Sequence, residues 1–115
     1  MFACSLSMPQ RDGGNDTQDK VFLLSIDEVN KYFDSDEERM CGTTDYAKAH
    51  GANTSDTYTA NGKANCWWWL RSPGVTQACA ADVSDYGYVD EDGSYVNYDD
   101  DGNDAVRPAL WINIE

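Results

Sequence analysis

Cys66-Trp67-Trp68-Trp69-Leu70-Arg71-Ser72-Pro73 is the stretch on which the reading of this 115-residue chain turns. A large aromatic side chain buries roughly 150–250 Å², so three in a row must supply much of a small core. The run is too short for a helix and reads as a buried extended segment, ended by the turn signal Arg71-Ser72-Pro73-Gly74. Three successive residues of a strand cannot all face one way. Trp67 and Trp69 are assigned to the core, and Trp68 to the opposite face as a candidate ligand contact. Further on, Val106-Arg107-Pro108-Ala109-Leu110-Trp111-Ile112 is a second apolar segment, read as the last strand, with Pro108 near its start where proline is tolerated.

Between these two segments lies a region of different character. Residues 82–104 contain eight Asp, four Tyr, three Gly, three Val, two Asn, two Ser and one Glu, with no Lys or Arg. Ala78–Val83 is read as a strand. Tyr86–Asp90 and Ser94–Tyr98 alternate around Asp92-Gly93, a hairpin signal that points Val89 and Val96 to one face. Asp99–Asp104 is read as a loop.

Toward the N-terminus, Lys20–Ser25 is a short apolar strand candidate. Ser25 then caps a helix, Ile26–Tyr32, with Glu28 as its capping-box partner. Ser35-Asp36-Glu37-Glu38 repeats the pattern and predicts a turn of helix at 36–40. Thr44–His50 is a third short helix, stopped by Gly51. Residues 51–65 are rich in Thr, Ser, Asn and Gly and read as a long loop. Residues 1–18 read as an irregular N-terminal segment and 19–115 as the domain. The class is α+β: short helices followed by a small, mostly antiparallel sheet with long loops.

Composition narrows the function classes. The net charge of -13 repels phosphate backbones and anionic membrane surfaces, so no nucleic-acid partner is expected. No apolar run approaches the ~20 residues that span a bilayer, so no membrane insertion is expected. Met1–Pro9 has no basic n-region and no long apolar core, so it is not read as a signal peptide. Cys4, Cys41, Cys66 and Cys79 allow three disulfide pairings, and their spacing does not choose among them. Zinc favours close ligand pairs, and here the cysteines are isolated and the one histidine is His50. Asp90–Ser94 and Asp99–Asp104 invite a calcium reading but have Tyr95 and Asp104 where an EF-hand loop needs its sixth-position Gly. No cofactor and no metal site is read from the chain. With 21 carboxylates, a pair at glycosidase spacing carries no information. His50 follows a helix candidate without a nucleophile beside it and reads as a surface histidine. Arg71 and Arg107 sit beside prolines in an acid-rich chain and are expected to pair with carboxylates.

The Tyr-, Asp-, Asn-, Ser- and Gly-rich segment has the composition of a binding face. Tyr gives rigid contact area at low entropic cost, and the small polar residues give adaptable hydrogen bonds. The competing reading is an ordinary solvated hairpin. The candidate ligand-binding residues are Tyr86, Tyr88, Asp90, Asp92, Tyr95, Asn97, Tyr98, Asp99, Asp101, Asn103 and Asp104, with Trp68. The frame beneath them is Phe22, Leu24, Trp67, Trp69, Leu70, Val106, Leu110, Trp111 and Ile112.

The segments Asp19–Ser25, Cys66–Pro73 and Val106–Ile112 resemble a family of uncharacterised bacterial domains. Asn30-Lys31-Tyr32-Phe33 and Thr44–Ala49 match in order and spacing. The resemblance covers roughly residues 12–115. The family is similar to C-type-lectin-like domains, to the formylglycine-generating-enzyme fold and to the variable proteins of diversity-generating retroelements. The last of these vary one face of a fixed scaffold by adenine-directed mutagenesis. Nearly all residue types in 82–104 are reachable by changing the adenines of an Asn codon, Glu91 being the exception. The resemblance implies a C-type-lectin-like fold and non-enzymatic recognition of a protein or glycan. It also implies that the chain is the C-terminal portion of a longer unit, because family members carry further sequence upstream. The alternatives are a structural or interaction domain of a larger bacterial surface protein, or an enzyme of the formylglycine-generating type. That enzyme type uses a cysteine pair, for which Cys66 and Cys79 are the candidates.

Overall fold

Ser25 opens the first helix as its spacing predicts. Its hydroxyl accepts from the Glu28 backbone N–H at 3.1 Å, and its own N–H donates to Glu28 Oε1 at 2.9 Å. Helix α1 runs Ile26–Tyr32 and turns Val29 fully into the core. Ser35 caps α2, Asp36–Arg39, and Thr44 caps α3, Asp45–Ala49, each by accepting from the backbone N–H three residues on. Helices this short are not stable alone and are held by packing. The computed structural model describes residues 6–9, 21–96 and 104–112. Among them no helix is long and apolar enough to cross a membrane.

The strands follow. β1 is Leu6–Pro9, β2 Thr54–Ala60, β3 Lys63–Cys66, β4 Trp68–Pro73, β5 Cys79–Val83, β6 Val89–Tyr95 and β7 Ala109–Ile112. β1 pairs in parallel with β7, β2 with β3 antiparallel, and β4-β5-β6 form an antiparallel sheet. Single bridges join these pieces. Phe22 exchanges hydrogen bonds with Ala109 at 2.9 and 2.8 Å, and Arg71 N–H donates to Leu24 O at 2.9 Å. Ala105 bonds Trp67 O and Trp69 N–H on β4, and Gly42 bridges Asn65 on β3. The architecture is α+β, with short helices and small, mainly antiparallel sheets.

Four local expectations are corrected. Leu6–Pro9 is a strand rather than irregular chain, because it has the backbone of β7 to pair with. Residues 51–65 are not a loop but the β2–β3 hairpin. Its turn is Asn61-Gly62, with φ of 56° and 79°, the twist that a two-residue hairpin requires. Asp92-Gly93 is not a hairpin turn. It lies inside β6, where residues 91–93 oppose Ala81 alone, and Gly93 at φ 76° makes a bulge. The β5–β6 turn is residues 84–88 instead. Finally, the tryptophan assignment is inverted. Trp68 pairs with Val83 and faces the core with Leu70, and Trp67 and Trp69 are half-buried. Along β4 the even-numbered Trp68 and Leu70 are buried, and Trp69 and Arg71 are not.

The core is built around Trp68. Leu24, Val29, Leu70, Val83 and Phe33 surround it, with Ala81, Ala105 and Ala109 fully buried where backbones approach closely. Trp111 is half-buried and packs beside Phe22 and Tyr32, with ring centroids 6.2 and 6.0 Å apart. Of the other frame residues, Phe22, Val106 and Leu110 are half-buried, and the side chain of Ile112 lies outside the described residues. Val96 is exposed rather than facing inward with Val89. Arg71 meets Glu28 at 2.5 Å as expected of it. Arg107 does not follow the carboxylate expectation. Its guanidinium lies 4.8 Å from the Trp68 ring centroid and 5.2 Å from that of Phe33, and it donates to Arg39 O at 3.2 Å. Burial lowers its pKa to about 10, so it stays charged at neutral pH. Cys41 is disulfide-bonded, its partner lying outside the described residues. Cys66 and Cys79 are buried thiols.

Candidate functional site

The β5–β6 turn is fixed from several directions. Ser84 Oγ accepts from the N–H groups of Tyr86 and Tyr88, at 3.3 and 3.2 Å. Ser84 N–H donates to Tyr88 O at 2.9 Å, and Gly87 N–H donates to Ser84 O at 3.0 Å. Two side chains from elsewhere clamp the outer carbonyls. Asn65 Nδ2 donates to Asp85 O at 2.8 Å, and Arg39 Nε to Gly87 O at 2.9 Å. Arg39 is itself held by its ion pair with Asp36. Its carbonyl accepts from Trp68 Nε1 at 3.0 Å, so the turn is wired to the centre of the core. Gly87 has φ 87°, and a Cβ there would sit 1.8 Å from Asp36 O. No other residue fits that position with the backbone as it stands.

This turn presents Tyr86 and Tyr88 to solvent. Their rings lie 6.1 Å apart at 25°. Tyr58, from β2, stands 5.7 Å from Tyr86 at 45°. The three are 40%, 43% and 52% exposed for Tyr58, Tyr86 and Tyr88, so about half of each residue in a ladder of aromatic rings is open to a ligand. A loop reading of residues 51–65 leaves Tyr58 without a face; the Asn61-Gly62 turn signal is what places it on a strand. Tyr95 is exposed at the other end of β6, opposite Cys79. Asp92 is exposed and Asp90 half-buried at the bulge, where Asp90 Oδ1 accepts from Asp92 N–H and Gly93 N–H at 3.1 and 3.2 Å. Asn97, Tyr98, Asp99, Asp101 and Asn103 lie outside the described residues.

Two candidate contacts are corrected. Trp68 is 0% exposed and cannot touch a ligand. Asp104 turns its carboxyl inward. Ala105 pairs with β4, which carries Asp104 toward Asp82, a residue 1% exposed on β5 and registered with Trp69 on one side and Asp90 on the other. Ser94 Oγ donates to Asp82 Oδ2 at 2.9 Å. Burial, then the hydrogen bond and charge of Asp82, then the charge of Asp90, raise the Asp104 pKa to about 9. Burial also raises Asp82, against the hydrogen bonds from Asp104 and Ser94. Burial and mutual charge thus favour a proton shared within the Asp82–Asp104 pair. Carboxylates opposite one another across strands are otherwise destabilising. The Asp104 Oδ2 atom is buried without a hydrogen-bond partner.

The other chemistry-bearing residues are placed as follows. His50 is exposed and stacks on Tyr46 at 4.1 Å. Cys66 Sγ donates to Cys41 O at 3.4 Å, and burial pushes its thiol up to about 11, far from a reactive thiolate. Thr76 Oγ1 donates to Cys79 Sγ at 3.3 Å. Among the described residues no three of His, Cys, Asp and Glu converge as metal ligands. Comparison with the curated proteins and with the solved structures finds no match. The family model of a domain of unknown function, DUF6273, matches residues 2–114, and the chain belongs to that family.

Proposed function

We propose that this domain is a non-enzymatic recognition module of C-type-lectin-like type, binding a protein or a glycan. The face is that of Tyr86 and Tyr88, joined by Tyr58 and continued along β6 by Asp90, Asp92 and, at its far end, Tyr95. The observation that carries the reading is the open tyrosine ladder on a turn held from the core. Exposed aromatic rings on a preorganised backbone bind at little entropic cost. The composition of residues 82–104 further supports a variable-protein reading, in which a fixed frame carries an exchangeable face. A cysteine-based enzyme is the weaker reading, because Cys66 is buried and held as a thiol.

The direct test is a screen of the purified chain against a glycan array and a displayed peptide library. The Tyr86→Ser, Tyr88→Ser double variant is run beside it. Ligands selected by the parent should lose binding to the variant while its circular dichroism is unchanged. Equal binding by both would place recognition elsewhere. The variable-protein reading has its own check in sibling genes. It expects substitutions at adenine positions of codons 82–104, beside a near-identical template repeat and a reverse transcriptase.

A further inference from the structure

We infer that the ligand of the tyrosine ladder is a basic protein segment, whose Arg or Lys side chains lie over the rings of Tyr58, Tyr86 and Tyr88. This rests on the recognition reading above and names its ligand chemistry. Three observations carry it. First, the geometry offers ring faces: the three tyrosines stand 5.7 and 6.1 Å apart in sequence 58–86–88, each about half open. A cation over a tyrosine face is attracted by the ring quadrupole, and a planar guanidinium also stacks on it. Second, the ladder's surroundings are acidic. Asp85 lies in the turn and Asp90, Glu91 and Asp92 follow it on β6, with no Lys or Arg in 82–96, and 51–62 carry Asp56 and again no Lys or Arg.

Third, five of the six cations among the described residues have partners of their own. Arg39 pairs with Asp36 and bonds Gly87 O, Lys63 pairs with Asp45, and Arg71 pairs with Glu28. Lys31 lies over Tyr32, and Arg107 is buried against Trp68. An aromatic surface in a field of this sign complements a cationic partner. The same field does nothing for a neutral sugar. It also steers a basic partner toward the surface, an attraction that salt screens.

The test uses fluorescence anisotropy with the full chain and a labelled peptide alternating Arg and Gly. The same peptide with citrulline for Arg is the neutral isostere. The Arg peptide should bind and the citrulline peptide should not. Affinity should fall as NaCl rises from 20 to 200 mM. A single Tyr→Ser at 58, 86 or 88 should weaken binding about two- to fivefold, and the triple variant at least tenfold. Should the triple Ser variant lose its fold by circular dichroism, Tyr→Leu at the same positions keeps the bulk and removes the ring faces. Undiminished binding by the triple variant would reduce the effect to bulk acid attraction and overturn the inference, as would equal binding of the citrulline peptide. Absence of Arg-peptide binding overturns it too. In that case, a glycan lost on Tyr86→Ser, Tyr88→Ser leaves the recognition surface standing with a different ligand. If neither ligand class depends on these tyrosines, both readings fall.

Discussion

Trp68 and Asp104 show how single side chains decide the interior. Trp68 is fully buried, donates to Arg39 O and lies under the Arg107 guanidinium, so its removal opens a cavity and strips a buried cation of its ring. Trp68→Ala should cost about 3–5 kcal/mol, a large part of the stability of a small domain. Trp67→Ala, at a half-buried site, should cost distinctly less; urea unfolding of the two variants compares them directly. That order could not be read from Trp67-Trp68-Trp69, because alternation fixes which residues share a face but not which face is inside. What packs on each face decides that: Phe33 and the rest of the core cluster cover the Trp68 face. Asp104 is a second inversion, since an acid in a run of acids reads as solvated. Its pKa is raised to about 9 in the fold, above its ordinary value, so between roughly pH 4 and 9 the folded state holds a proton that the unfolded chain has released. This group's contribution to stability therefore falls as pH rises through that window. It opposes Glu28, whose pKa burial would raise but which Arg71 and Ser25 hold down, so that it favours folding above the carboxylate range. Asp104→Asn, which mimics the neutral acid, should raise Tm at pH 8 and leave it nearly unchanged at pH 4. A Tm difference independent of pH would mean that Asp104 is an ordinary carboxylate.

Among the elements, the helices were legible and the hairpins were not. Ser25 with Glu28, Ser35 with Glu38, and Thr44 each announce a helix by local hydrogen bonding that needs no partner from elsewhere. A strand has no such autonomy. Thr54–Ala60 shows no apolar alternation, because most of its side chains are exposed, and it is a strand only through its pairing with Lys63–Cys66. Two Gly-containing signals had opposite outcomes. Asn61-Gly62 is the hairpin turn that the polar composition concealed, whereas Asp92-Gly93, a strong turn signal, is a bulge. Gly93 serves there because Ala80 O occupies the space where a Cβ would be, at 1.8 Å. Gly93→Ala should therefore shift or unpair β6 from β5 rather than leave the hairpin intact. The loss should show as faster amide exchange at Asp82 and Ser94 and a lower Tm. In Gly62→Ala the added Cβ meets nothing within 4 Å, so only the strain of its φ of 79° remains and the effect should be milder.

At the scale of the whole molecule, the question is whether frame and face are separable. The apolar frame was legible as a composition, and so was the polar character of residues 82–104. The boundary between them was not, because it runs through that segment rather than around it. Asp82 and Ser84 are buried, Gly87 and Gly93 have positive φ against neighbouring backbone, and burial raises the pKa of Asp104. Tyr86, Tyr88, Glu91, Asp92 and Tyr95 are exposed. The segment thus interleaves fixed and open positions, singly at 86–88 in the turn and in pairs along β6. A recognition scaffold needs the open set to change without cost to the fixed set, and surface substitutions away from caps and packing usually alter stability within about 0.5 kcal/mol. A library exchanging Tyr86, Tyr88, Asp92 and Tyr95 among Tyr, Asp, Asn, Ser and Gly should therefore yield mostly soluble, folded protein by protease resistance. A second library applying the same exchange to Asp82, Ser84, Gly87 and Gly93 should yield mostly cleaved protein. Ser84→Gly removes the hydroxyl that holds the N–H groups of Tyr86 and Tyr88, and any Cβ at position 87 strikes Asp36 O. Equal survival of the two libraries would mean that the turn is not held as its hydrogen bonds imply. Equal failure would mean that the tyrosines are structural, and the recognition surface would fall with them.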